Sequence, residues 1–593
     1  MIFSIYSFLQ RKISESFIKA GRYRVTTYIA LVIAFYLSLS VMDSIWEFKG
    51  LHEFRSYIHR LADAMFFALP AWGIRRKKWL FPYICIVTLY LLANVWYYRN
   101  YGTIMPLTSF LLVQNLSTIG NSVLFSLRWI DLLLILPPLV FMIGYRYNQI
   151  IQRKKHRGGE LFKKQKLAAI LCLITLSIII GQDYVFARCY AVYQHPIYRY
   201  KTEPMVGMRE YGIVNFWISQ FTLLKGCTKE EIKDAGRFIE ISKQRRADTQ
   251  LVTSHNKNLI IILTESLCAW PINLTIDGTE VTPYLNSLTR DTTVLSFMKV
   301  LPQIKDGRSS DAQLLINTGL LPLNSGATSV IYGSSNTYPS LPKALKKKGY
   351  VSIILTCDNK TVWNQEAAAR NYGFDRFYER MDNGHMRPES DYYLFTNSLP
   401  ILQKLHQPFY AQLVTFSGHD PIETEFESSL RQADIPNRKV MNYLIITQYV
   451  DHCIQEFITS LRDAGLYDNS IIVIVGDHDS IISRNLYEGR PERSLEDRFI
   501  PLFILNAPLK AETDKVIAQS DIYPSLLDLM GLADYPFPGL GESVFRNLCN
   551  CAVNWDGKWV GDNTDDSVRQ ARFEMWRISD ILLRSNFFEG KEF

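Results

Sequence analysis

The chain has 593 residues, 48% of them apolar and 13% aromatic, and a formal net charge of +8. That length allows more than one domain and a sizeable core. Nearly all the long apolar runs lie before about residue 190, which excludes a purely soluble protein. The basic excess sits in the loops between those runs, so it is not the footprint of a nucleic-acid partner.

In chain order, apolar segments occupy about 28–45, 79–97, 130–143 and 167–180. With flanking residues, each approaches the roughly 20 residues a spanning helix needs. A weaker segment, "ADAMFFALPAWGI" (62–74), is interrupted by Pro70. The stretch "TSFLLVQNLSTIGNSVLFSL" (108–127) is too punctuated for a span and reads as an interfacial element. Lys and Arg cluster at the N-terminus (Arg11, Lys12, Lys19, Arg22, Arg24), in "RRKK" (Arg75–Lys78) and in "RKKHRGGELFKKQK" (Arg153–Lys166). Cytoplasmic loops carry such an excess. Five spans with an inside N-terminus put all three clusters in the cytoplasm and everything after about Gln182 outside; four spans do not. No signal-peptide cleavage pattern precedes the first span, which is expected to stay as an anchor.

The expected organisation is a transmembrane domain of about five helices (1–186), a connector (187–250), an extracytoplasmic catalytic domain (251–550) and a C-terminal extension (551–593) ending in "FFEGKEF", a loose tail. In the connector, "TKEEIKDAGRFIEI" places Ile232, Ala235, Phe238 and Ile239 on one helical face. Five apolar, β-branched runs then alternate with helical patterns: "NLIIILTES", "VSIILTCD", "FYAQLVTFSGHD", "SIIVIVGDHD" and "IPLFILNAP". This predicts an α/β domain on a largely parallel sheet buried on both faces. Ligands gather beyond the carboxyl ends of such strands. The cysteines, nine in all, match no zinc spacing, and their pairing is not legible.

The candidate chemistry stands at those strand ends. Glu265 follows "LIIILT". Asp477 and His478 follow "IIVIVG", and carboxylate oxygen and imidazole nitrogen both suit zinc or manganese. His419 stands in "FSGHDP", just past a third strand. In "KDGRSSDAQLL", Ser309 and Ser310 precede a helical pattern, and serine is a preferred N-cap. A serine hydroxyl beside a divalent metal is also an activated nucleophile. At a helix start it faces backbone N–H groups that favour a phosphoryl anion.

Taken together, "LIIILTESL", "VTPYLNSLTRDT", "GRSSDAQ", "VWNQEAAARNYGFDRFYE", "FSGHDP", "VGDHDS" and "SDIYPSLLDLMGL" resemble, in order and spacing, the alkaline-phosphatase/sulfatase superfamily. Within it they resemble the membrane-bound lipoteichoic-acid-synthase-like phosphoglycerol transferases, over nearly the whole chain. The resemblance implies an alkaline-phosphatase-like α/β/α sandwich behind a multi-span helical membrane domain. It implies one divalent metal ion, Mn²⁺ first with Zn²⁺ or Mg²⁺ as alternatives, held by Glu265, Ser309, Asp477 and His478. Ser309 would be the nucleophile in place of the more usual Thr. His419 would contact the phosphoryl or leaving group, with Trp363 and Asn364 at the head group. The family's Trp-Asn-Arg is here Trp363-Asn364-Gln365, which removes a bidentate phosphate contact. Ser309 is not followed by the Pro-x-Arg of sulfatases, so sulfate-ester hydrolysis is not expected. "DHDSIISRNLYEGRPE" lacks the further histidine of phosphoethanolamine transferases.

The resemblance thus implies a multi-pass protein of the cytoplasmic (inner) membrane with its catalytic domain periplasmic or extracellular. It would move a phosphoglycerol-type head group from a phospholipid donor to an envelope glycan or polymer through a phospho-serine. The alternatives are phosphoethanolamine transfer to a lipid or glycan, and a non-catalytic envelope-assembly scaffold.

Overall fold

The structure is a computed structural model. It describes residues 25–46, 54–74, 77–101, 104–105, 107, 126–152, 161–189, 196, 200, 204–223 and 226–247, and then 256–591 apart from 325, 334, 361, 385–387, 436, 491–493, 547–548 and 563–564. The chain divides into two compact units between Lys225 and Gly226.

The first unit is helical: α1 (Val25–Ile45), α2 (Phe54–Ala68), α3 (Lys77–Tyr101), α4 (Leu136–Gln152), α5 (Leu161–Cys189) and α6 (Pro204–Leu223). Among the described residues three helical stretches are long and apolar enough to cross a membrane: Val25–Ile45, Lys78–Arg99 and Trp129–Arg146. In α1 the apolar residues divide by face. Leu31, Phe35, Leu39 and Met42 are buried, whereas Ile29, Ile33 and Leu37, each four apart, are exposed, as a lipid-facing stripe would be. The fourth expected span appears as a shorter apolar stretch, Ala169–Val185. The weak segment around 62–74 forms the end of α2 and a short helix, Pro70–Gly73, with Ala62, Ala64, Phe67 and Ala68 buried among the other helices. Pro70 has no N–H to continue the ladder, which breaks the helix there. The expected interfacial element at 108–127 lies largely outside the described residues.

Helix α6, from the expected connector, packs on α2. It is broken at Gly212 (φ +75°), and the N–H groups of Ile213 and Val214 donate instead to the Asp63 carboxylate at 2.7 and 3.0 Å. A Cβ at Gly212 would stand 2.3 Å from Asp63 Oδ2, so only glycine fits the break.

The second unit opens with α7 (Lys229–Ala247), which contributes Ala235 and Ile239 to the core as the spacing predicts. Its central sheet is built from β1 (Asn258–Thr264), β2 (Leu295–Leu301), β3 (Val351–Thr356), β4 (Arg376–Tyr378), β5 (Phe409–Val414), β6 (Ser470–Gly476), β7 (Ile500–Leu505) and β8 (Ile517–Ala518). The spatial order is β8-β2-β7-β6-β1-β5-β3-β4. All five strands read from the sequence are present. The sheet is mixed rather than uniformly parallel: β7 runs antiparallel to both β6 and β2. Strand β1 is central and wholly buried, with Leu259, Ile261 and Leu263 in one core and Ile260 and Ile262 in the other. That alternation is the pleat of a sheet covered on both faces.

The helices of this unit include α8 (Pro283–Arg290), α9 (Arg308–Thr318), α10 (Thr328–Ile331), α11 (Leu341–Lys346), α12 (Gln365–Tyr372), α13 (Ser390–Gln403), α14 (Arg438–Asp463), α15 (Ile522–Leu529) and α16 (Asp566–Arg584), with a further single turn at Arg484–Tyr487. Helices α9, α15 and α16 fill the first core and α14 the second. Of the segment read as a loose tail, Phe588 is buried and Phe587 packs beside it, while residues 589–591 are exposed. Met575, Trp576, Ile581 and Leu582 of α16 are buried with Phe588, and Ser579 Oγ donates to Leu321 O at 2.6 Å.

Candidate active site

Strands β1, β5 and β6 end at one level. Leu263 pairs with Val414 on one side and with Val475 on the other, and Thr264 pairs with Gly476. The ladder continues one step past the strands: Asp477 N–H donates to Thr264 O, and Thr415 N–H to Leu263 O, both at 3.0 Å. Glu265 N–H donates to Thr415 Oγ1 at 2.9 Å. Two glycines let the exits close up. A Cβ on Gly418 would lie 2.4 Å from Glu265 O, and one on Gly476 would lie 2.4 Å from Leu267 O. The backbone thereby brings together Glu265, the Asp477–His478 pair and the loop bearing His419.

Ligand atoms of Glu265, Asp477 and His478 lie within 4.8 Å of one another, and all three side chains are buried. His478 Nδ1 lies 3.0 Å from Asp479 O, so it carries the proton and donates it there. Nε2 is left to face Glu265 Oε1 and Asp477 Oδ2, each at 3.5 Å. Asp477 Oδ1 accepts from the N–H groups of Ser266 and His478 at 2.8 and 2.7 Å, while Oδ2 is buried with no hydrogen-bond partner among the described residues. An orphaned carboxylate oxygen, a second carboxylate and a tautomer-fixed imidazole converging on one point fit a divalent cation. The electrostatics agree. Burial works to raise Glu265, but His478 and His419, with hydrogen bonds from Ser309 and Ser266, hold it below the usual glutamate range. Burial and the neighbouring Glu265 charge push Asp477 up to about 7. Two buried carboxylates side by side resist double ionisation unless a cation joins them.

The two serines part company at α9. Gly307 is the N-cap, not either serine. A Cβ on it would sit 2.3 Å from the Asp311 carboxyl carbon, so the turn needs glycine. Arg308 follows at φ +45°, a left-handed conformation that costs a non-glycine residue about 1–3 kcal/mol. Beyond this turn Ser309 is half-buried and its Oγ donates to Glu265 Oε2 at 2.8 Å. Ser310 is buried; its Oγ donates to Gly307 O at 2.6 Å and accepts from Ser329 Oγ at 2.9 Å. Ser309 faces the acids, and Ser310 ties α9 to α10.

His419 packs its ring on Phe416, and its Nδ1 lies 2.6 Å from Asp420 O. Trp363 and Asn364 lie in a turn before α12, both half-buried and both at positive φ (53° and 56°). Asn364 Nδ2 donates to Ser329 O at 3.3 Å, which links this turn to the Ser310 side of α9. Gln365 is buried and turned toward the sheet. It donates to Asp358 Oδ2 at 3.2 Å and accepts from Gln313 Nε2 at 3.1 Å, in an amide chain that continues through Gln412 and Asn317 to Tyr410.

Three supporting residues escaped the sequence reading. Asp391 Oδ1 accepts from Phe416 N–H and Ser417 N–H at 2.7 and 3.1 Å, clasping the His419 loop from beneath; burial raises its carboxyl to about 6. Asp311 accepts from the N–H groups of Gly307 and Thr328, both at 3.0 Å, and burial raises it to about 7. Gln519 Nε2 donates to Asp477 O at 2.7 Å. Asp391 and Gln519 act on backbone of distant elements, so local spacing carries no signal for them; Asp311 stood within the quoted "GRSSDAQ" and acts on Gly307 of its own turn as well as on distant Thr328.

Comparison with known proteins gives two family matches, the lipoteichoic acid synthase N-terminal domain over residues 4–219 and the sulfatase domain over residues 257–532. Lipoteichoic acid synthase 1 of Bacillus subtilis is 25% identical over an alignment spanning 89% of this chain and 86% of its own length. The lipoteichoic acid synthase of Staphylococcus saprophyticus is 28% identical, over 79% of this chain and 75% of its own length. The crystal structure of the lipoteichoic acid synthase LtaP from Listeria monocytogenes shares the fold. It is 21% identical with a TM-score of 0.50, covering 58% of this chain and 98% of that one. The resemblance drawn from the motifs is borne out.

Proposed function

We propose that this chain, a lipoteichoic-acid-synthase-like enzyme that joins the synthase N-terminal domain to a sulfatase domain, transfers a phosphoglycerol-type head group from a membrane phospholipid to an envelope glycan or polymer. The observation that carries the reading is Ser309 Oγ, 2.8 Å from Glu265 Oε2 and directed into the Glu265–Asp477–His478 cluster. Glu265, Asp477, His478 and Ser309 would hold one divalent ion, Mn²⁺ first among the candidates. When bound there, such an ion supplies positive charge that favours an ionised serine and offsets charge on the phosphoryl oxygens.

The chain's own residues divide the remaining work. As Ser309 Oγ attacks phosphorus its proton passes to solvent and the P–O bond to diacylglycerol breaks, the departing oxygen taking a proton from His419. An acceptor hydroxyl then attacks the phosphoserine and gives its proton to His419; the P–O bond to Ser309 breaks and Ser309 Oγ regains a proton from solvent. The N–H groups at the start of α9 face the phosphoryl group, and Trp363 and Asn364 border the head group. The basic loops favour an orientation in the cytoplasmic membrane that puts the catalytic unit outside, with its lipid donor in the outer leaflet.

One observation favours a second reading. Gln365 is engaged with Gln313 and Asp358 and brings no guanidinium to the head group, which suits phosphoethanolamine better than the family's arginine would. The test offers the full-length chain fluorescent phosphatidylglycerol or phosphatidylethanolamine with Mn²⁺. Labelled diacylglycerol from the first supports phosphoglycerol transfer, and from the second alone the alternative. Turnover of neither overturns both.

A further inference from the structure

A cavity of about 670 Å³ lies between the first turn of α14 and the loop that runs on from the Asp477–His478 pair. Its size is in the range that holds a small ligand or a few units of a polymer. Three ties place it beside the catalytic edge. Trp270, in the loop that follows Glu265, stacks on Tyr443 and Tyr487 at 5.7 and 5.8 Å, and its Nε1 donates to Ile482 O at 3.2 Å. Tyr443 OH donates to Ser266 O and accepts from Cys268 N–H, both at 3.0 Å. Asn442 Nδ2 donates to Ile422 O at 3.1 Å, in the loop that follows His419. The second turn of α14 thus grips the chain just past Glu265 and just past His419, and Arg438 stands one turn earlier at the cavity wall.

The lining has a definite chemistry. Val440, Leu486 and the ring of Tyr487, held in the stack, make an apolar back wall, and Arg438 and Arg490 supply guanidinium groups. The one carboxylate among the described lining residues, Glu488, is paired with Arg490 and with Arg484, the latter at 2.8 Å. Arg438 is exposed and has no ion pair among the described residues. Guanidinium groups with one carboxylate between them leave a cationic excess, and the planar fork of arginine matches phosphate oxygens. An apolar ring beside it suits the carbon skeleton of a polyol.

We propose that this cavity is an acceptor subsite: it holds the phosphodiester-linked polyol chain that receives the transferred group, with Arg438 and Arg490 on its phosphates and Tyr487 against its carbons. The assignment rests on the phosphoryl-transfer reading of the Ser309 site.

The test uses the full-length chain in detergent with a synthetic glycerol phosphate tetramer, and maltotetraose as the neutral control. Arg438→Glu is expected to weaken tetramer binding by about tenfold, the scale of one lost charge-assisted phosphate contact. The ratio of label transferred onto the tetramer to diacylglycerol released is expected to fall with it, at an unchanged thermal midpoint. Tyr487→Ala is expected to lower the same ratio. Unchanged tetramer affinity in Arg438→Glu overturns the proposal, as does maltotetraose binding as tightly as the tetramer. Tetramer binding that depends on Arg438 in a chain that releases no diacylglycerol supports the cavity and overturns the transfer reading, so the two failures are distinguishable.

Discussion

The two units bury the same kinds of side chain in opposite ways. Among the described residues of the helical unit, buried carboxylates meet cationic partners: Arg55 and His59 on Asp183 at 2.6 and 3.0 Å, Arg60 Nε on Asp43 at 2.7 Å, and Arg99 bidentate on Asp131 at 2.6 and 2.8 Å. Asp63 is spent on the freed N–H groups of α6. At the sheet edge of the second unit, Glu265 and Asp477 stand together with only an imidazole between them. That is not for want of arginine, since Arg572 in the same unit is buried on Asp521 at 2.5 Å and on Glu542 at 3.0 Å. Satisfied pairs hold elements together; an unsatisfied carboxylate pair is kept where something cationic is to be bound.

The largest expected effect separates the neighbouring serines. Ser309→Ala should lower head-group transfer by about 10³-fold or more, measured as diacylglycerol release. Ser310→Ala should leave that rate nearly unchanged while lowering stability by about 1 kcal/mol, the worth of its lost hydrogen bonds. The reverse pattern would put the reactive group on the structural side of α9.

Next in size, Asp183→Asn strands Arg55 and His59 and should destabilise the helical unit by about 3 kcal/mol, read by denaturant unfolding. A similar scale is expected from Asp391, a buried carboxyl with neither cation nor proposed metal. Its proton is held to about pH 6 in the fold but only to about 4 in an unfolded chain. Its stabilising contribution is therefore complete below about pH 4 and lost as pH rises through 6, a swing of about 3 kcal/mol. Thermal midpoints of Asp391→Asn relative to the wild type should accordingly rise between pH 4 and pH 7. A further effect inverts the usual sign. Asp477→Asn keeps an oxygen for Ser266 and His478 and removes a like charge beside Glu265, so it should stabilise the metal-free chain at pH 7 and above, by up to about 4 kcal/mol. Destabilisation there would mean that the pair is not in conflict.

What the sequence discloses follows from how local each cause is. The five buried strands and the acids at their ends are legible because a continuous apolar run, its exit residue and its side chain are contiguous. Strand β2, "LSFMKVL", is missed because its exposed Lys299 and half-buried Leu295, Ser296 and Met298 break the apolar run. Ser309 against Ser310 was undecidable from spacing; the positive φ of Arg308 and the Asp311 clasp settle which hydroxyl faces Glu265. Gln365 was visible as a departure from the family, but its direction depends on Gln313 and Gln412, which come from other elements. In the helical unit, α2 reads poorly because its polar residues are paired with partners as distant as Asp183, which no window of sequence contains.

We propose that Glu265, Asp477 and His478 form one cation site, which the fold leaves electrostatically unsatisfied. Isothermal titration of the full-length chain in detergent with Mn²⁺ tests it directly. The expected result is one ion per chain, with a thermal midpoint that rises as the site fills, by about 2.7 kcal/mol of stability at a hundredfold excess over Kd, and with both responses absent in Glu265→Gln. No saturable binding, or equal binding by Glu265→Gln, would contradict it.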